Sequence, residues 1–189
     1  MTDQLTLDEK QTLLRLARQA LELGVRSEKL PPLDWDSLSP RLRADGASFV
    51  TLTVRGGLRG CIGALEAYQP LAEDVREHAI AAALEDYRFP PMQVAELNGI
   101  QIEVSRLTAP VPLEYARPAD LVATLRPHVD GVVLRDGSRR ATFLPQVWEK
   151  LPEAEDFLDN LCLKMGANAD LWRRKHLDVL TYQVEEFHE

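Results

Sequence analysis

A chain of 189 residues with 45% apolar and 28% charged residues can bury a substantial core without disulfide or metal staples, as an ordinary globular protein does. Its net charge of −8 and pI near 5.1 argue against a nucleic-acid backbone or an anionic membrane as main partner, and the short basic clusters Arg139-Arg140 and Arg173-Arg174-Lys175 read as solvated faces. Two cysteines, Cys61 and Cys162, in a chain with no signal peptide and no long apolar run point to a reducing cytoplasm, where a disulfide between them is not expected. The histidines, His78, His128, His176 and His188, show no ligand spacing, so a metal site of histidine and cysteine has little support and no cofactor is expected.

In chain order, Thr6-Leu7-Asp8-Glu9 reads as a capping box opening a helix with Leu14, Ala17 and Leu21 on one face, which Gly24 can end. Pro31-Pro32 begins a turn-rich connection, with a short helix after Ser39-Pro40. Ser48 to Val54 alternates as a half-buried strand, and Leu58 to Leu65 alternates after it. Pro70 opens a second helix whose Leu71, Val75, Ala79 and Ala82 form an apolar stripe beside His78, a packed or solvated histidine; it ends before Phe89-Pro90-Pro91. A strand is expected over Ile100 to Leu107, a short helix near Ala119 to Leu125, and a hairpin of Gly131 to Arg135 and Arg140 to Leu144 around Asp136-Gly137. Pro145 starts a helical stretch that Pro152 interrupts. Glu153 to Lys164 then forms a helix closed by Gly166, with Cys162 on its core side, and a strand near Val179 to Phe187 ends the chain. Hairpins and helices without βαβ repetition imply an α+β fold with a mainly antiparallel sheet flanked by helices.

The segment Leu58-Arg59-Gly60-Cys61-Ile62-Gly63 carries the candidate chemistry. With Arg55-Gly56-Gly57 as a three-residue loop, Val54 pairs with Leu58, Leu52 with Gly60 and Val50 with Ile62, so the apolar faces coincide. Arg59 and Cys61 then share the other face with Thr51 and Thr53, and Gly60 and Gly63 leave bare backbone that something can approach closely. A free thiol with a pKa near 8.5 is only roughly 3% thiolate at neutral pH; a nearby cation that lowers it by about a unit raises this to roughly a quarter. Arg59 is the cation in position to act. The alternative is that Cys61 is a packed residue and Arg59 a clamp on a carboxylate. The glycines do not form a phosphate loop, because no Gly-Lys-Ser/Thr follows and the segment continues as a strand.

This hexapeptide resembles the signature of the AMMECR domain family. So do Tyr87-Arg88-Phe89-Pro90-Pro91, Glu103-Val104-Ser105-Arg106-Leu107-Thr108, Thr142-Phe143-Leu144-Pro145-Gln146-Val147 and the helix from Phe157 to Gly166, and the likeness extends from about Leu7 to the end. It implies a single domain over 1–189, two unequal lobes with one inserted or appended, and a cleft near the LRGCIG hairpin. The recurrent motif positions correspond to Arg59, Cys61, Arg88, Glu103 and Gln146; Tyr87 stands where proline is frequent, Met92 where leucine is frequent and Trp148 in a segment often small or acidic. Bacterial and archaeal members look like protein A of the AmmeMemoRadiSam system, which implies a Memo-like protein and a radical S-adenosylmethionine (radical SAM) enzyme as partners. The resemblance implies no established reaction.

Each recurrent residue also has a structural reading. Arg88 can cap the preceding helix, Glu103 can be the buried partner of Arg59 or Arg88, and Gln146 can tie backbone groups together or line a cleft. Three functions compete. The favoured one is a binding or accessory component that holds a partner, a peptide or an anionic small molecule through Gly60, Gly63, Arg88 and Gln146. The second is a small enzyme with Cys61 as nucleophile or redox thiol, Arg59 as anion stabiliser and Glu103 assisting. A bare scaffold leaves a cysteine outside the core unexplained.

Overall fold

The computed structural model describes residues 4–189. In chain order its elements are α1 (Leu7–Val25), α2 (Pro40–Arg43), β1 (Asp45–Val54), β2 (Gly57–Gly63), β3 (Gln69–Pro70), α3 (Leu71–Leu84), β4 (Ile100–Leu107), β5 (Val111–Pro112), α4 (Pro118–Thr124), β6 (Gly131–Asp136), β7 (Arg139–Phe143), α5 (Ala154–Lys164), α6 (Leu171–Arg174), β8 (Asp178–Tyr182) and β9 (Val184–His188). The fold is α+β. The chain forms two compact units: one runs to Thr108 and regains Glu185–Glu189, and the other is Ala109–Val184.

The first unit is built on a sheet in the order β2-β1-β4-β9, with the short β3 against β1. Val50, Leu52, Ile102 and Val104 bury one face of it in a core shared with Leu13, Ala17 and Leu21 of α1 and with Leu71, Val75, Ala79 and Ala82 of α3. Each fully buried leucine or isoleucine contributes about 1.5–3 kcal/mol, so this face decides the register. The expected capping box is present, with Thr6 accepting from the Glu9 N–H and Glu9 from the Thr6 N–H. Gly24 does not end α1, which continues to Val25; a Cβ at Gly24 would meet Ile80 Cγ1 of α3 at 2.9 Å, so this glycine lets two helices approach. His78 is packed as expected, 5% exposed, with Nδ1 3.2 Å from Asp74 Oδ2, which also accepts from Ser48 Oγ at 2.6 Å. Glu185 of β9 accepts from the Leu5 N–H and pairs with Lys10 and Arg106, fastening the chain's two ends to β4.

The second unit holds a separate sheet in the order β5-β8-β6-β7. Its core stacks Trp148 on Phe157 at 3.8 Å and includes the fully buried Leu158, Leu161 and Cys162. The expected hairpin forms around Gly137, whose φ of 61° suits glycine. The terminal strand expected over Val179 to Phe187 is two strands instead. β8 pairs with β6 in the second unit, the chain breaks at Gln183, and β9 joins β4 in the first. Alternation alone cannot show which sheet a strand joins, so the change of unit left the pattern intact.

Candidate functional site

The hairpin keeps the expected pairs Val50 with Ile62 and Leu52 with Gly60, and places Cys61 opposite Thr51, on the face away from Val50, Leu52 and Ile62. Its tip departs from expectation. Arg55 (φ 51°) and Gly56 (φ 78°) form a two-residue loop, Val54 pairs with Gly57 and Thr53 with Leu58, and Arg59 is the extra residue of a bulge. The bulge restores the register that a short loop would have shifted by one. It also turns Leu58 to the Thr53 face, where it is 46% exposed.

The two glycines of the motif are filled by the protein itself. A Cβ at Gly60 would run into the Ala82 carbonyl of α3, and one at Gly63 into the Phe49 ring and the Ser48 carbonyl, each inside the 3.0 Å that real Cβ contacts keep. The close approach read from these glycines is therefore helix and ring packing.

β2 is an edge strand, and the backbone of Cys61 points outward from it into two side chains. The Cys61 N–H donates to Asp86 Oδ2 at 2.9 Å, and Arg88 Nη2 donates to the Cys61 carbonyl at 3.2 Å. Arg88 also grips Asp86 through two side-chain bonds, of 2.9 and 2.6 Å, and donates its N–H to Asp86 Oδ1 at 3.1 Å. The pair fills the place a neighbouring strand would take, which shields the edge. Hydrogen bonding from Arg88 is the main cause that holds the Asp86 carboxyl far below the usual carboxylate range, with the Cys61 N–H helping. Asp86 in turn holds the Arg88 guanidinium charged, and Cys61 lies near enough that its thiolate form would add to this. Arg88 does not cap the preceding helix, and it is the cation that the structure places beside Cys61.

Arg59 is held by a carboxylate, but by Glu96 and not Glu103. Nε and Nη2 bind the two Glu96 oxygens at 2.7 and 3.1 Å, and Nη2 also reaches the Pro90 carbonyl at 3.0 Å. Arg59 is the main cause lowering the Glu96 pKa. Phe89 carries both guanidinium groups over its ring, at 5.9 and 5.7 Å from the centroid. The bulge leaves Arg59 without a cross-strand partner on β1, and its side chain reaches Glu96, whereas Glu103 stands in the row of Thr51 and Cys61. Glu103 pairs in register with Thr51 and is half-buried, and its side chain makes no hydrogen bond or ion pair with any described residue. Glu103→Ala should therefore cost under about 1 kcal/mol, against roughly 3 kcal/mol for a buried ion-pair partner; thermal unfolding of the variant distinguishes them.

Asp86 and Glu96 are the members of this site that sequence reasoning missed. The visible signal was Asp86 two residues before Arg88, a spacing that lets one carboxylate take both the side chain and the N–H of the arginine. Gln146 is exposed in a 3₁₀ helix, Pro145–Glu149, of the second unit. Cys61 is half-buried, its Sγ accepting from Thr51 Oγ1 at 3.3 Å, whereas Cys162 is fully buried and burial pushes its thiol pKa up. Iodoacetamide should modify Cys61 in the folded protein and Cys162 only on unfolding, which peptide mass spectrometry reads directly.

The fold and site define an α+β protein of two sheets in which an edge hairpin presents a half-buried thiol between fixed ion pairs. The chain belongs to the AMMECR1 family, whose model matches residues 14–187. It is 42% identical over 186 residues to a protein of Methanothermobacter thermautotrophicus, covering 98% of this chain and 96% of that one. A protein of Methanopyrus kandleri is 38% identical over 201 residues, covering 100% and 92%. Among solved structures, the uncharacterised protein PH0010 from Pyrococcus horikoshii matches with a TM-score of 0.77 at 31% identity, over 98% of this chain and 93% of that one. No helix among the described residues is long and apolar enough to cross a membrane.

Proposed function

We propose that this protein is a binding component of an AmmeMemoRadiSam-type modification system, presenting the Cys61 hairpin to a partner while a Memo-like protein and a radical SAM enzyme carry the hard chemistry. The supporting observation is that the charges beside the thiol are already committed. Arg88 is bound to Asp86 and Arg59 to Glu96, and the side-chain hydrogen bond to Cys61 Sγ comes from the Thr51 hydroxyl and not from a base. Such fixed pairs suit a rigid recognition surface, with Leu58 and the 95% exposed Tyr87 as its apolar contacts. Arg88 would meet the partner directly, and Gln146 would make a separate contact from the second unit. The two family partners, purified from the same organism, should each be tested for retention on the immobilised chain. Retention that Leu58→Asp abolishes supports the reading, and retention of neither overturns it.

A second reading keeps Cys61 as nucleophile or redox thiol. It is favoured by the Thr51 hydrogen bond to sulfur and by Arg59 Nη1, a buried donor with no partner among the described residues, which could face an anion. A covalent adduct at Cys61 in intact-mass spectra of the protein isolated from its own cells, absent from Cys61→Ala, would decide for it.

A further inference from the structure

Across the face of the first unit's sheet that carries the thiol, Cys61, Thr51 and Glu103 form one row on three adjacent strands. With strands 4.7–4.9 Å apart, the thiol and carboxylate positions lie about 10 Å from each other, with the Thr51 hydroxyl between them. All three residues are half-buried; the row is flanked on one side by Thr53 with Gln101 and on the other by Phe49 with the buried Ser105. The cations near the row are spoken for: Arg88, beside Cys61 at the outer edge, by Asp86, and Arg59 by Glu96.

Glu103 is different, since its side chain forms no hydrogen bond or ion pair with any described residue. A half-buried carboxylate with no protein partner keeps its oxygens available to solvent or to a ligand. The opposite face of β4, with Ile102 and Val104, does the packing.

We infer that this row is a receptor for an organic cation, a primary ammonium or guanidinium group, which Glu103 accepts while the remainder of the ligand lies over Thr51 toward Cys61. This rests on the reading of the Cys61 face as the working site and adds the class of ligand that it takes. At the strand edge the guanidinium of Arg88 is neutralised by Asp86, so the open carboxylate two strands inward is the charge that a ligand over the row meets, and it draws a cationic group.

Three methanethiosulfonates test this on the intact protein: trimethylammonioethyl, sulfonatoethyl and the neutral methyl reagent. Each forms a mixed disulfide with the thiolate and releases methanesulfinate, so they differ in the charge brought over the row. Rates at Cys61, read by peptide mass, should favour the cationic over the anionic reagent. Glu103→Gln, with its fold checked by its melting temperature, should cut that ratio about fourfold or more, as expected for one unit charge at about 5 Å in a water-like dielectric. A ratio at or below one in the unaltered protein, or one that Glu103→Gln leaves unchanged, overturns the inference while the binding-component reading stands. If none of the reagents labels Cys61 in the folded protein, the inference falls, while the binding-component reading is decided separately by partner retention. Protection of Cys61 from the neutral reagent by n-butylammonium would assign the cation to a small molecule; protection by Ac-Gly-Lys-Gly-NH2 alone would assign it to a lysine side chain of a protein partner.

Discussion

Asp86→Ala should lower the unfolding free energy by about 3 kcal/mol, because Asp86 is the carboxylate that joins Arg88 to the edge strand. The carboxylate is 3% exposed and receives the Cys61 N–H together with the side chain and N–H of Arg88, so its removal strands an outward-facing donor of the edge strand and releases the cation beside the thiol. Asp86→Asn keeps an oxygen for Cys61 but loses the charge, and should fall between the variant and the unaltered protein in urea unfolding. The pH dependence has a definite sign. A carboxylate whose folded pKa is depressed contributes stability that is complete above its unfolded value of about 3.9 and is lost as pH falls through the lower folded value. Stability should therefore decline on acidification below about pH 4, and less steeply in Asp86→Asn. An Asp86→Ala protein within about 0.5 kcal/mol of the unaltered one would show that the pair is ornamental.

Much of this arrangement was legible because burial dictates it. Val50, Leu52 and Ile62 had to share a face, which fixed Cys61 on the other, and Thr6 with Glu9, Pro70 and Gly166 marked helix boundaries at or within a residue or two of where they form. The hairpin tip was not legible. A three-residue loop and a two-residue loop followed by a bulge give the same pairing at Leu52 and Gly60, and choosing between them needs Arg55 to accept a positive φ, which its side chain does not announce. That one ambiguity carried into the ion pairs. A regular strand places Arg59 opposite Thr53, in the row of Gln101 and diagonal to Glu103, whereas the bulge leaves it unpaired on β1 and it reaches Glu96 beyond the Phe89-Pro90-Pro91 turn. Side-chain partners across loops depend on such local backbone choices, and hydrophobic periodicity is silent about them.

Gly60→Ala should be among the most damaging single changes in the chain, costing about 3 kcal/mol or more. The new methyl group would meet the Ala82 carbonyl of α3 well inside contact distance, at a position where β2 has just recovered its register from the bulge. The obstacle is backbone. No substitution at Ala82 removes it, so Ala82→Gly should fail to rescue Gly60→Ala, and relief would require α3 to move off the sheet along with Val75, Ala79 and Ala82, which pack into the core. Gly24 supplies the contrast, since the atoms in its way belong to the Ile80 side chain and Ile80→Ala should recover part of the loss in Gly24→Ala. Gly56→Ala supplies another: open space surrounds it and only its φ of 78° resists, so about 1 kcal/mol is expected. Urea unfolding of the three variants and the two rescues should thus rank Gly60→Ala worst and unrescued. A Gly60→Ala protein as stable as Gly56→Ala would mean that α3 yields easily, and the glycine would then be free to serve a ligand in place of a helix.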